Sequence, residues 1–231
     1  MKEQLVAEMD QHANPKRAIE AANVFGITPG GYGEGDILLG LRIPEARKIA
    51  LSHKEMPPAE IAELLHSPIH EHRFAALEIL VAQYKKNPDR SRQILLDNLE
   101  GVNNWDLVDV ITWKILGMWA LEHKDERLFH KLAKSKSLWE RRIAVVSYMA
   151  FYRNGVLGDG PDIIEQLLSD KEPLIHKACG WMLREIYWRV DKQFVESFII
   201  DHYKQMSRTT LRYAIERMPE PQRKRFLKGE F

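Results

Sequence analysis

Four short stretches of the chain share one pattern. HRFAAL, RRIAVV, HKACGW and LRYAIE each set a basic residue two positions before a small one: Arg73 before Ala75, Arg142 before Ala144, Lys177 before Cys179 and Arg212 before Ala214. The basic positions are separated by 69, 35 and 35 residues, so a further repeat is expected near position 108. A period of about 35 residues holds two helices and a joint, and such a unit buries its apolar face only against its neighbours. The pattern therefore commits the chain to an α-solenoid. In that fold the small residue permits close helix contact, and the cation one face round lines a common surface.

The remaining sequence agrees with an all-α fold. In IAELLHSPIHEHRFAALEILVAQY, Ile61, Leu64 and Leu65, and then Phe74, Leu77, Leu80 and Val81, fall at helical spacing, each set forming one apolar face. No strand-like alternation competes with it. Helix starts are expected at Pro15 behind Asn14, at Pro44, and at the Ser- or Asn-rich joints near 67, 103, 137, 169 and 207. At 231 residues this gives a single domain, 1–231, of about six HEAT-like repeats. Charges occupy the positions where a signal peptide needs its apolar region, no run approaches membrane-spanning length, and the lone Cys179 excludes an internal disulfide. A cytoplasmic monomer is expected, with Cys179 inert in the core.

Net charge is only +1, but its distribution is uneven. Residues 131–155 hold 6 Lys and Arg against 1 acid, and residues 201–231 hold 8 against 4. Two basic blocks are compatible either with solvated helix faces or with a polyanionic partner.

Against that background, NNWDLVD at residues 103–109 stands out. Asp109 lies 36 residues after Arg73 and 33 before Arg142, where the repeat calls for a cation. Two explanations are open on spacing: Asn104 or Asp106 caps a helix with Asp109 as a first-turn acid favoured by the helix dipole, or Asp109 is a deliberate anion in a row of cations. Trp105 and Asp109 are spaced to share one helical face, Trp181 lies one turn past Lys177, and Trp139 precedes Arg142 by three. Singly, each indole suits core packing; together with a basic row they suit a surface that holds an aromatic cation and nearby phosphates.

Two other motifs carry less. GGYGEGD, residues 30–36, lacks the Lys-Ser/Thr of a phosphate loop, and its Glu34 and Asp36 would repel phosphate, so it is expected to be a flexible turn. His66, His70 and His72 do not make a metal site if Pro68 interrupts the helix.

Taken together, LLGLRIPEARK, NNWDLVD, LWERRIAVVS, IHKACGWMLRE and LRYAIE resemble the AlkD-like DNA alkylation repair glycosylases, which are built from HEAT-like repeats forming a concave DNA-binding surface. The resemblance implies hydrolysis of the N-glycosidic bond of N3- or N7-alkylated purines in duplex DNA, without base flipping and without a metal or organic cofactor. It assigns the catalytic aspartate to Asp109, the active-site tryptophans to Trp105 and Trp181, and the active-site arginine to Arg142. Arg141, Lys177, Arg212 and Trp139 are the accompanying candidates for DNA contact. Two other functions fit the same residues: a non-catalytic binder of damaged or branched DNA, and a HEAT-type protein-interaction scaffold. Base excision separates the first, and salt-sensitive duplex binding the second.

Overall fold

The computed structural model describes residues 1–231 and is helical throughout. The only β-type pairing is an isolated parallel bridge between Ile37 and Ile69. The helices form two compact units, Met1–Ile111 and Thr112–Phe231. No helix is long and apolar enough to cross a membrane.

In the first unit, the helices Ile43–Ser52, Pro58–Leu65 and Pro88–Asp97 all pack against His70–Tyr84. Their starts follow local rules. Asn14 and Asn87 accept the backbone N–H groups of Arg17 and Arg90, and a proline follows each at the first helical position. The central helix departs from the one-sided pattern expected of it. From His70 to Leu80 every side chain is buried, polar ones included, whereas Val81 is half-exposed. The buried acids are satisfied rather than stranded: Glu71 accepts the N–H groups of Leu39 and Gly40 at 2.9 and 2.7 Å, and Glu78 accepts Arg47 Nε at 2.9 Å. The chain from Ile37 to Leu41 and the helix after it thus cover what would have been a solvent face.

The second unit repeats the scheme around Pro173–Arg189, which packs against Leu138–Val146, Gly160–Leu167, Lys192–His202 and Arg208–Ala214. Ser137, Asp191 and Ser207 cap their helices by accepting N–H groups of Glu140, Phe194 and Thr210. The small residues of the repeat are where close contact requires them. Ala75, Ala144, Cys179 and Ala214 are all fully buried. Beside Cys179, a Cβ on Gly180 would stand 2.4 Å from the Thr210 carbonyl oxygen, so the two helices meet backbone to backbone there. Burial pushes the Cys179 thiol up to about 12, which makes it unreactive core packing.

Candidate nucleic-acid site

The segment that carries Asp109 starts from an anchored residue. Asn104 is extended (φ −146°, ψ 157°) and fully buried; its side-chain oxygen accepts Trp105 N–H at 2.8 Å, and its amide donates to the Phe25 carbonyl at 2.9 Å. Asn104 is therefore the cap, and it also fastens the helix start to a loop 79 residues away. Trp105 is held by that loop as well: its indole N–H donates to the Val24 carbonyl at 3.2 Å, and its ring stacks on Phe25 with centroids 5.8 Å apart and planes 9° from parallel. The ring stays half-exposed.

This contact explains the glycines. A Cβ on Gly31 would meet the Gly26 carbonyl oxygen at 2.1 Å, and one on Gly33 would meet the Phe25 oxygen at 2.5 Å. The glycine-rich run is the turn the sequence suggests, with Gly31 and Gly33 packed down over the loop that holds Trp105 and Gly30 and Gly35 in open space. Its last acid is equally committed. Asp36 is ion-paired with Arg73 and hydrogen-bonded at 3.4 Å to His70, whose other ring nitrogen meets Asp106 at 2.8 Å. All four side chains are buried. Burial disfavours a charged imidazole, but the hydrogen bonds with Asp106 and Asp36 outweigh it and raise His70 to about 9. Two cations and two carboxylates thus balance beneath the start of the site. In the same way Asp36 is held below the usual carboxylate range, its burial being outweighed by His70 and Arg73.

Arg73, which the sequence places on a phosphate-facing row, is 2% exposed and belongs to this internal network. Its position explains why. Asp109, Arg142, Lys177 and Arg212 each stand five residues after the N-cap of their helix, respectively Asn104, Ser137, Glu172 and Ser207. Arg73 stands only four after Ile69. Its counterpart is Arg141, four after Ser137, and both make the same bond: Arg73 Nη1 donates to the Ser67 carbonyl at 2.6 Å and Arg141 Nη1 to the Ser135 carbonyl at 3.0 Å, each six residues back. His176 does likewise with the Asp170 carbonyl at 2.6 Å. The row of cations is therefore in register at Arg142, Lys177 and Arg212, with Asp109 in the same register and Arg73 outside it.

The helix over Asp109 also differs from expectation. After Trp105–Leu107 the chain turns π-helical from Val108 to Gly117, with i→i+5 hydrogen bonding. The four-residue spacing of Trp105 and Asp109 crosses this change, so the wider turn, not a uniform α-helical face, sets the direction of Asp109. Asp109 is half-exposed in the first turn. Asp106, its neighbour, is the buried partner of His70 and has a purely internal position.

In the second unit the predicted residues divide by exposure. Lys177 and Arg212 are exposed. Trp139 and Trp181 are half-exposed, and the Trp181 indole N–H donates to Glu185 at 3.2 Å. Arg142 is 5% exposed, with one guanidinium nitrogen donating to the Leu174 carbonyl, which fixes its orientation. Arg141 donates to both oxygens of Asp170, at 2.6 and 3.3 Å, as well as to the Ser135 and Lys136 carbonyls; a phosphate would compete with all of these. No group of three or more His, Cys, Asp or Glu side chains is arranged to hold a metal ion, and a break in the helix separates His66 from His70.

These features define a helical-repeat protein that places a carboxylate and three cations at equivalent positions after its joints, with an indole one, two and nine residues after the N-caps Asn104, Ser137 and Glu172. Comparison with known families extends the description: the family described as DNA alkylation repair enzyme matches residues 5–218, and the chain belongs to that family. A solved structure described as a predicted DNA alkylation repair enzyme from Enterococcus faecalis has the same fold, with a TM-score of 0.70 at 16% identity over 90% of this chain and 98% of that one. No protein of curated function matches the chain.

Proposed function

We propose that this member of the DNA alkylation repair family is a glycosylase that hydrolyses the N-glycosidic bond of cationic N3- or N7-alkylated purines in duplex DNA. One observation carries this conclusion. At the four repeat positions five residues after Asn104, Ser137, Glu172 and Ser207, Arg142, Lys177 and Arg212 suit phosphates, and the one acid among the four, Asp109, follows a clamped, half-exposed indole.

The chemistry follows from the lesion. Alkylation gives the purine a formal positive charge and makes it a good leaving group; as the bond breaks, positive charge develops on the sugar. Asp109 stabilises that charge and orients or activates the attacking water. The indoles of Trp105 and Trp181 pack against the deoxyribose and favour the cationic base over its neutral parent. Arg142, its guanidinium oriented by Leu174, holds a backbone phosphate, and Lys177 and Arg212 extend the phosphate contact. The base reacts without being drawn into an enclosed pocket, in contrast to the usual glycosylase strategy.

The test is release of 3-methyladenine or 7-methylguanine from methylated duplex DNA by the purified protein. Asp109→Asn is expected to keep the fold and duplex affinity while excision falls about a hundredfold or more. Full activity in that variant would reject Asp109 as the stabilising anion. Duplex binding with no base released would leave a non-catalytic binder of damaged DNA.

A further inference from the structure

The helix Pro173–Arg189 presents more than the Lys177 and Trp181 assigned above. At 3.6 residues per turn, Lys177, Trp181, Arg184 and Trp188 fall within about 60° of one another and form a stripe ~16 Å long. Lys177 is exposed at one end, and at the other Trp188 is 56% exposed, the second most exposed large apolar side chain outside the N-terminal fifty residues being Phe231 at 50%. The Trp188 ring is not bare. The Arg217 guanidinium lies over it, 5.1 Å from the ring centroid, contributed by the segment just after the neighbouring helix Arg208–Ala214.

The charges around this pair decide what it fits. Arg184 is ion-paired with Glu216 and Glu185, and Arg189 with Glu185, whereas Arg217 is exposed and placed on the indole. With Lys177 and Arg212, the stripe and its margin carry five cations, Lys177, Arg184, Arg189, Arg212 and Arg217, against the two carboxylates Glu185 and Glu216. A protein partner would want an apolar centre depleted of charge around the exposed indole. An indole roofed by a guanidinium and ringed by arginines instead matches a sugar followed by a phosphate.

We propose that Trp188 and Arg217 form a second contact with the duplex backbone, the indole against a deoxyribose and the guanidinium on the adjoining phosphate, ~10 Å along the stripe from Trp181. This is a surface for positioning, about three base steps from the reacting nucleotide, and it rests on the proposal that Lys177 and Trp181 face DNA.

Binding of an unmodified duplex, measured by fluorescence anisotropy across a salt series, tests it. Trp188→Ala is expected to weaken binding about tenfold with the salt dependence intact, because it removes an apolar contact. Arg217→Gln is expected to weaken binding and to lower the slope of log affinity against log salt by about 0.9, one phosphate's share. Lys204→Gln removes an exposed cation elsewhere in the same unit and should leave affinity within twofold of the unaltered protein. Unchanged affinity in both Trp188→Ala and Arg217→Gln overturns the proposal, as does an equal loss in Lys204→Gln, which would mean general electrostatics. So does failure of the unaltered protein to bind duplex DNA. Trp188 lies outside the core, so its truncation is expected to leave the thermal midpoint in place, and Arg217→Gln provides a second variant at an exposed residue whose only described contact is with that indole. The two proposals fail separately: a protein that shows these affinity losses but releases no alkylated base refutes the glycosylase alone, and one that excises normally with both variants binding as before refutes the second contact alone.

Discussion

Two joints of the chain use the same fastening with different stakes. At the joint before His70–Tyr84, Arg73 reaches back six residues to a serine carbonyl and pairs with an aspartate; at the joint before Leu138–Val146, Arg141 does the same. Yet the Arg73 side chain is 3% exposed against 15% for Arg141, and Asp36 also meets His70, which reaches Asp106 directly below the site segment. Arg141 closes a joint with its guanidinium partly in water, although Asp170 is as buried as Asp36. Arg73 and Asp36 belong to a buried network whose other end is Asp106, next to Trp105, and whose His70 ring meets the Phe25 on which Trp105 stacks. One local geometry therefore serves as a clip in one place and as a foundation in the other, and the difference lies in the deeper burial of Arg73 and the second buried cation, His70, that shares its aspartate.

Removing the acid from each pair measures that difference, and the largest effect is expected in the first. Asp36→Ala leaves Arg73 and His70 as neighbouring buried cations and should cost about 3–5 kcal/mol in urea denaturation. Asp170→Ala leaves Arg141 with the Ser135 and Lys136 carbonyls and partial solvent, and should cost about 1–2 kcal/mol. Equal losses would mean that the two joints are equivalent after all.

Alkaline titration separates them next. His70 is raised from 6.5 to about 9 in the folded chain, so its contribution is complete below pH 6.5 and is lost as pH rises through about 9. The loss is on the order of 3 kcal/mol at 1.36 kcal/mol per unit. Urea midpoints taken from pH 6 to 9.5 should fall in this window, and His70→Gln should flatten that dependence. Asp36 contributes in the opposite sense: its stabilisation holds above the ordinary carboxylate value and disappears as pH drops through its lowered one.

The smallest expected effect compares the cap of the site segment, Asn104, with the cap at the second joint, Ser137. Asn104→Ala should cost about 1–2 kcal/mol, whereas Ser137→Ala, a cap whose hydroxyl accepts Glu140 N–H at 3.4 Å, should cost about half as much. A red-shifted Trp105 emission in Asn104→Ala would show that the same bond holds the indole; an unshifted spectrum would limit Asn104 to capping.

What the sequence makes legible here is what local rules encode. The period of 35, the caps at Asn14, Ser137 and Ser207, and the small residues Ala75, Ala144, Cys179 and Ala214 specify helices and their close faces, and all are found in place. The candidate residues were legible as types in a register, which the N-caps sharpen by admitting Asp109 and removing Arg73. What lay beyond reach were contacts between residues 34 to 79 apart, such as His70 with Asp36 or Asn104 with Phe25. Hydrophobic period says which face is covered but not what a buried charge meets, so Asp36 read as part of a loose turn and His70 as an unused histidine. The π-helical turn after Leu107 had no signal in composition.

The sealed thiol of Cys179 has a practical corollary. Because it is the chain's only cysteine and lies fully buried in the core, a maleimide dye will find nothing to modify on the native surface. A single cysteine introduced on an exposed position such as Lys204 would therefore carry the only label, giving a reporter for distance measurements on DNA without first stripping the protein of its own sulfhydryl.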